Sequence, residues 1–433
     1  MIHPLKSVVC ETFLALSILA TCATAQNVQA VAEAVIQNGL VNSALISNAG
    51  AGYSRPPIVT FQGGGGSGAL GLARISGGQV SSITIVSGGS GYLSAPTIEL
   101  SLPPGPDLNS GLVAYYRMNG DGREETSGTA NGTITGAIAA NDRFNNPSQA
   151  LSFDGVDDIM QASDSLLPKG AANRTVCCFY KVRSFPAANV NELALISYGI
   201  SQTNKGFFLT HDLTSRKLTW SQWGSALTWN QDPLEPNVWR FAGVTISGTT
   251  VTLFSDGVKR NQASFGVDTG TNGKINIGRA EGALGNTRRF NGEIDDVRIY
   301  NRSISEEEML LLNYLMTHDS DGDGSNDFDE MAVFGTNHES VDSDGDGYRD
   351  GVEVLYKSNP ADPASKPNYV ENYVAVELEF PTALGKNYQL QGSDDLVTWT
   401  NIGAPFAGTG GVITELFSTR GGRKRFWHWI EVP

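Results

Sequence analysis

Two stretches of this 433-residue chain repeat one acidic spacing, and that spacing leaves little freedom in what they form. Asp319, Asp321, Asp323, Asp327 and Glu330 stand at positions 1, 3, 5, 9 and 12 of a loop, with Ser325 at position 7. Asp342, Asp344, Asp346, Asp350 and Glu353, with Tyr348 at position 7, repeat the pattern 23 residues later. Carboxylates at alternate positions of a tight loop converge on one point. Gly324 and Gly347 at position 6 permit the sharp turn, position 7 offers its carbonyl, and the Glu at position 12 closes the shell from a following helix. Six to eight hard oxygens at about 2.3–2.6 Å are what calcium requires. The spacing therefore predicts a calcium ion in each loop, followed by short helices over Phe328–Phe334 and Gly351–Tyr356.

Charge supports the same reading. Thirteen Asp and Glu lie between Thr317 and Pro363 against Arg349 and Lys357 alone, a net of −11 out of −15 for the whole chain. Like charges packed so densely need solvation as a tail or bound cations. An acidic chain also argues against nucleic-acid binding, which needs basic patches to neutralise phosphates. Glycine is 50 of 433 residues and charged residues are only 17%, which favours short strands and tight turns over helix bundles. At 40% hydrophobic residues the chain can build real cores.

The N-terminus has the pattern of an export signal: Lys6, the apolar run Phe13–Ala20, and Ala23-Thr24-Ala25 as a small-residue cleavage site. Lipidation at Cys22 is the rival reading of the same segment. No later run is long and apolar enough to span a bilayer. Cleavage removes Cys10 and Cys22 and leaves Cys177 and Cys178. Adjacent side chains of a strand point to opposite faces, so these two should not bridge; one is expected as a buried hydrophobe and the other as a surface thiol.

A repeat follows the leader. Val41–Tyr53 matches Val80–Tyr92 at an offset of 39 residues, each copy being two short strands around a Gly-rich turn that closes on a Tyr. Gly77-Gly78 suits a hairpin turn between Ala69–Ile75 and Val80–Val86. The region reads as a spacer or stalk. Ser101–Asp107 is a stiff Pro-rich linker, and Leu112–Met316 is a run of alternating strand signals that predicts a two-sheet sandwich. Asp256-Gly257 reads as a hairpin tip, and Ser305 with Glu308 as a capping box before the apolar Met309–Met316.

Four segments in this run carry a family resemblance: Gly111–Met118, Ala150–Asp158, Phe254–Gly257 and Asn291–Ser305. In this order they resemble the opening strand, the first turn, the hairpin and the closing strand with helix start of the LamG-like (concanavalin A-like) jelly roll. The resemblance implies a sandwich that commonly binds glycans or protein partners. The acidic loops, with Gly335-Thr-Asn and Ser358–Asp362 after them, resemble thrombospondin type 3 repeats and, less closely, dockerins, whose helices are longer. That implies a calcium-rigidified spacer. Asn387–Ile402 resembles a small β module often found last in secreted proteins of environmental bacteria.

Glycosidases share the jelly-roll fold and need two carboxylates about 5–5.5 Å apart for retaining hydrolysis. Glu293-Ile294-Asp295 begins like the catalytic strand of one such family, but Val297 and Arg298 fill the places of the second Glu. No zinc spacing joins the five His, and no nucleophile elbow is present. Trp220, Trp223 and Trp229 offer a glycan platform or core and turn positions; Asp154, Asp157 and Asp158 offer a calcium site or turn caps, and capping is the favoured reading. Arg420–Arg425, followed by Phe426–Trp429, mixes cations with aromatics in a final strand.

The expected chain is all-β and multi-domain, in this order: leader 1–25, Gly-rich β repeats 26–100, linker 101–107, LamG-like jelly-roll β-sandwich 108–316, EF-hand-like calcium-loop segment 317–365 and C-terminal β module 366–433. The expected function is adhesion or glycan binding outside the cell or at its surface, with calcium as a structural ion and without catalysis, the partner being a glycan or an extracellular protein. A purely architectural surface protein and a carbohydrate-active enzyme are the alternatives.

Overall fold

The structure is a computed structural model that describes residues 27–184, 192–212, 217–229, 235–280, 287–367, 375–393, 397–418 and 426–433. The leader with Cys10 and Cys22, the Asp394-Asp395 turn and the basic run Arg420–Arg425 lie outside the described residues. The chain divides into two compact units, Met1–Lys366 and Pro367–Pro433.

The repeat forms one sheet from β1 (Val31–Gln37), β2 (Leu40–Asn48), β3 (Ile58–Gln62), β4 (Ser67–Ser76), β5 (Gln79–Ser90) and β6 (Thr97–Leu100), in the order β2-β1-β6-β3-β4-β5. Its two copies interlock. The Tyr53 N–H donates to the Gly78 carbonyl at 3.1 Å, and the Tyr92 N–H donates to the Gly39 carbonyl at 3.0 Å. Each tyrosine thus closes on the hairpin of the other copy, where Gly39 and Gly78 hold positive φ of 75° and 77° that a side chain would resist. The sheet buries its own core of Val59, Ala73, Ile98 and Leu100. Ile58 and Leu72 pack on the layer beneath the helix described below, so the expected stalk is a compact sheet within the first unit.

The sandwich follows as β7 (Leu112–Tyr116), β8 (Thr133–Thr135), β9 (Ile138–Ala140), β10 (Ala150–Asp154), β11 (Ile159–Ser163), β12 (Arg174–Val182) and β13 (Glu192–Gly199). It continues with β14 (Gly206–Asp212), β15 (Lys217–Gln222), β16 (Ser225–Thr228), β17 (Trp239–Ser247), β18 (Thr250–Ser255), β19 (Val258–Ser264), β20 (Lys274–Ile277) and β21 (Asn291–Tyr300). One sheet runs β19-β18-β17-β12-β21-β10-β9, with β7 beside β21; the other runs β16-β15-β14-β13-β20-β11-β8. Phe153, Trp220, Val244 and Ile294 fill the space between them. This is a jelly-roll sandwich, closed by β21 at the centre of the first sheet.

Helix α1 (Glu306–Thr317) then folds over the outer face of that first sheet. Ser305 Oγ accepts from the Glu308 N–H at 3.1 Å, and the Glu308 carboxylate accepts from the Ser305 N–H at 2.8 Å, which satisfies the helix start. Met309, Leu312 and Met316 pack on Phe241 and Phe254. The helix explains why the expected surface thiol is absent. Cys178 faces the sandwich core and Cys177 faces the layer under α1, so both are fully buried, and burial pushes the Cys177 thiol up to about 12.

The second unit pairs β22 (Ala375–Pro381) with β25 (Val412–Ser418), and β23 (Asn387–Ser393) with β24 (Thr400–Ala407) and β26 (Phe426–Val432). Trp399 stacks on His428 at 3.7 Å and Trp429 on Phe380 at 5.1 Å. Of the aromatics after the basic run, His428 and Trp429 thus make ring contacts within this small β module, while Phe426 is exposed.

Candidate functional site: two acidic loops docked on the sandwich

The two acidic loops share one pattern of backbone-to-carboxylate bonds. Asp319 accepts from the Gly322 N–H at 2.8 Å and the Gly324 N–H at 3.0 Å; Asp342 accepts from Gly345 at 2.8 Å and Gly347 at 2.9 Å. Asp323 takes the Ser325 N–H, and Asp346 the Tyr348 N–H, so the position-7 residues are held by the acids at position 5. Gly324 and Gly347 adopt φ of 103° and 97°, the conformation the spacing assigned to glycine. After the first loop come α2 (Asp327–Asp329) and a wide turn over Glu330–Phe334; after the second comes α3 (Asp350–Tyr356).

The carboxylates converge in three groups, each within 4.8 Å: Asp319 with Asp321 and Asp323, Asp342 with Asp344 and Asp346, and Asp323 with Glu330 and Asp350. The third group crosses between loops, which spacing within one loop does not reveal. The ninth-position acids also brace their own loops: Asp327 accepts from the Ser320 N–H and hydroxyl, both at 2.8 Å, and Asp350 accepts from the Ser343 N–H at 2.9 Å. Glu353 accepts from the Ser358 hydroxyl at 2.9 Å.

These groups are poorly satisfied by the protein alone. Among the described residues, both oxygens of the fully buried Glu330 have no hydrogen-bond partner, nor do Asp321 Oδ2, Asp344 Oδ2, Asp350 Oδ2 and Glu353 Oε2. Burial, then the charges of Asp321, Asp323, Asp327 and Asp350, push the Glu330 carboxyl up to about 10. Burial and Asp323 raise Asp321 to about 6. Unpaired buried carboxylates of this density fit a hard divalent cation, which supplies the missing charge and takes the free oxygens. The second cluster is partly served from within, by Lys366 Nζ at 3.1 Å from Asp346.

The first loop is welded to the sandwich. Asp329 pairs with Arg117, beyond the end of β7, and lies 3.6 Å from the fully buried Arg298 of β21. Phe328 lies beneath the Arg298 guanidinium at 4.2 Å and joins the layer under α1. Asn146 donates to the Gly324 carbonyl at 2.7 Å, and Asn109 to the Ala332 carbonyl at 3.0 Å. A segment expected as a spacer is thus an integral part of the first unit. Between loop and sandwich lies a polar cleft of about 40 Å³, bordered by Arg117, Arg143, Asp296 and Asp329, with room for a few waters.

The carboxylates of β21 are all engaged. Glu293 pairs with Arg183 at 2.6 Å and Lys181 at 3.4 Å. A bulge sets Asp295 opposite Phe179 and Arg298 opposite Cys177, with Asp296 at φ 49°. That extra residue lets both Asp295 and Asp296 reach Arg143, at 2.6 and 2.8 Å. Against burial, Arg143 and Arg298 hold the Asp296 carboxyl below its usual range, while burial and Asp296 raise Asp295. Asp154 and Asp158 cap their turn, accepting from the N–H groups of Val156 and Asp154, both at 2.7 Å. Trp220 is core, Trp223 stands in a turn at 39% exposure, and Trp229 packs at the sandwich edge.

Residues 154–309 match the family model of the concanavalin A-like lectin/glucanases superfamily, and residues 342–363 match that of the bacterial thrombospondin type 3 (TSP3) repeat. The chain carries a concanavalin A-like domain. No curated protein matches the sequence. Among solved structures, the chain is similar to domain 4 of the GH43 extracellular arabinanase AbnA from Geobacillus stearothermophilus in complex with arabinotriose, at 17% identity and TM-score 0.38, over 47% of this chain and 98% of that one. It is also similar to the binding domain of Paraclostridial Mosquitocidal Protein 1, at 17% identity and TM-score 0.39, over 48% of this chain and 52% of that one. The botulinum neurotoxin serotype D binding domain aligns at 13% identity and TM-score 0.37, over 48% of this chain and 51% of that one, so the chain spans about half of either toxin domain. Asp329 and its two arginines join the first acidic loop, which precedes the TSP3 match, to the concanavalin A-like domain.

Proposed function

We propose that this is an exported, non-catalytic glycan-binding protein, acting outside the cell or at its surface, whose concanavalin A-like domain is braced by calcium in the docked acidic loops. One observation carries the binding reading over hydrolysis. The domain belongs to a superfamily of lectins and glucanases, and Glu293, Asp295 and Asp296, the acids on its closing strand, are tied to Lys181, Arg183 and Arg143. Retaining hydrolysis needs one carboxylate free as nucleophile and another as proton donor.

Calcium is the ion that suits the loops. Asp319, Asp321, Asp323 and Glu330, with the Ser325 carbonyl and Asp350, supply hard oxygens to the first site; Asp342, Asp344, Asp346 and Glu353, with the Tyr348 carbonyl, supply the second. Asp327 stands behind the first site through Ser320. Export rests on the leader pattern, and no described helix is long and apolar enough to cross a membrane.

The test is a polysaccharide pull-down with the intact chain, in calcium and in EGTA. Binding that weakens in EGTA is expected. Binding to no polysaccharide in either condition would favour the architectural reading, and release of reducing sugar would favour the enzymatic one.

A further inference from the structure

Helix α1 covers only part of the outer face of the first sheet. At Gly243 the helix is so close that a Cβ would lie 3.0 Å from Met309 Cε. Farther along β17 the cover ends, leaving a cavity of about 350 Å³ between the sheet, the C-terminal half of α1 and the Arg143-Phe144 segment. This volume lies within the range of small-ligand pockets, about 300–1,000 Å³.

The walls divide by chemistry. Phe179, Trp239 and Phe241 line one side; the buried Phe179 and Phe241 rings lie 4.9 Å apart at a 53° tilt, and Lys181 Nζ stands 5.0 Å from the Trp239 ring centre. Arg240, Asp256 and Asn313 also line the cavity. Asp256, at the tip of the β18–β19 hairpin, accepts from Arg240 at 2.9 Å and from the Phe241 N–H at 3.0 Å, which fixes the charged pair at the rim. Gly257 packs against Asn313, since a Cβ there would stand 2.9 Å from that side chain, so the hairpin and the helix hold their spacing. Arg143, at 4.1 Å from the Phe179 ring, is neutralised by Asp295 and Asp296.

Each cation lining the cavity is matched by a carboxylate, so no net charge calls for an ionic ligand. An indole ring beside a fixed donor–acceptor pair suits a ring with an apolar face and hydroxyl groups at its edge. We propose that this cavity is the saccharide site of the domain, taking a neutral sugar unit stacked on Trp239 with its hydroxyls bonded to Arg240, Asp256 and Asn313. This rests on the glycan-binding reading above and gives it a location. Arg143 also donates to the Met316 carbonyl at 2.6 Å, and its segment is tied to the first acidic loop through Asn146, so the cavity's wall is set by that loop.

The test is affinity electrophoresis of the intact chain in calcium, through gels containing laminarin, xylan, arabinan or galactan. Wild type, Trp239→Ala, Asn313→Ala and Trp223→Ala are compared, the last altering an exposed tryptophan of the other sheet. Retardation by at least one polysaccharide is expected, weakened about tenfold or more by Trp239→Ala and less by Asn313→Ala, and unchanged by Trp223→Ala. Trp239→Phe, which keeps a ring, should retain part of the binding and separates lost stacking from lost folding. Full retardation of Trp239→Ala and Asn313→Ala would overturn this location while leaving glycan binding in place. Absence of retardation for wild type in all four gels would overturn the glycan reading itself.

Discussion

Glu330 closes the first acidic loop and Asp350 opens the helix after the second, yet their carboxylates share one buried group with Asp323. The two loops are therefore one electrostatic object. Asp350→Ala, a change in the second loop, should weaken calcium binding at the first. At free calcium a hundredfold above Kd, losing one site removes about 2.7 kcal/mol of stabilisation. Calcium titration followed by calorimetry measures it; an unchanged number and affinity of sites in the variant would contradict the shared group.

Arg117→Met removes a partner from Asp329, whose carboxylate is almost wholly buried. Breaking a buried pair from one side costs about 3–5 kcal/mol when the remaining charge is left unpaired, and Arg298 at 3.6 Å holds the loss towards the lower end of that range. Chemical denaturation should show a loss of that order, partly recovered in the double variant Arg117→Met/Asp329→Asn. Equal losses in the single and double variants would mean that the pair does not join loop to sandwich.

His211 is buried against Tyr180, and neither ring nitrogen has a hydrogen-bond partner among the described residues. Burial lowers it to about 3, against an unfolded value near 6.5. The unfolded chain therefore takes up a proton between those values and the folded chain does not. This group's contribution is whole above about pH 6.5 and is lost as pH falls towards about 3, at up to about 1.4 kcal/mol per pH unit. His211→Phe should flatten the pH dependence of the melt in that window, and an unaltered slope would count against it.

The Tyr53 hydroxyl accepts from the buried Ala30 N–H and donates to the Ser101 carbonyl, both at 3.0 Å. Tyr53→Phe keeps the ring but leaves the Ala30 N–H without its acceptor, at about 1–3 kcal/mol. Hydrogen exchange should quicken over β1 and β6 while the sandwich keeps its protection.

What could be read beforehand was mostly local. The capping box at Ser305 and Glu308, the Asp256-Gly257 and Gly77-Gly78 hairpins and the twofold loop spacing all depend on residues a few positions apart, and such geometry is carried by the chain itself. What was hidden depends on elements distant in sequence. Cys177 is buried because a helix more than a hundred residues later lies over it. Asp329 reads as one more acid in a run, and its role is visible only when Arg117, just past β7, and Arg298 of β21 come to it. Strand β12 is buried on both faces, so its alternation carries no sign of which side meets the core.

The most direct measurement is the melting temperature of the intact chain as free calcium is raised from an EGTA-buffered zero. Because the loops hold unpaired buried carboxylates and are joined to the concanavalin A-like domain, one transition covering that domain should rise steadily with calcium, following RT ln(1 + [L]/Kd) for each site. A melt of that domain that stays fixed across the titration would contradict the calcium brace.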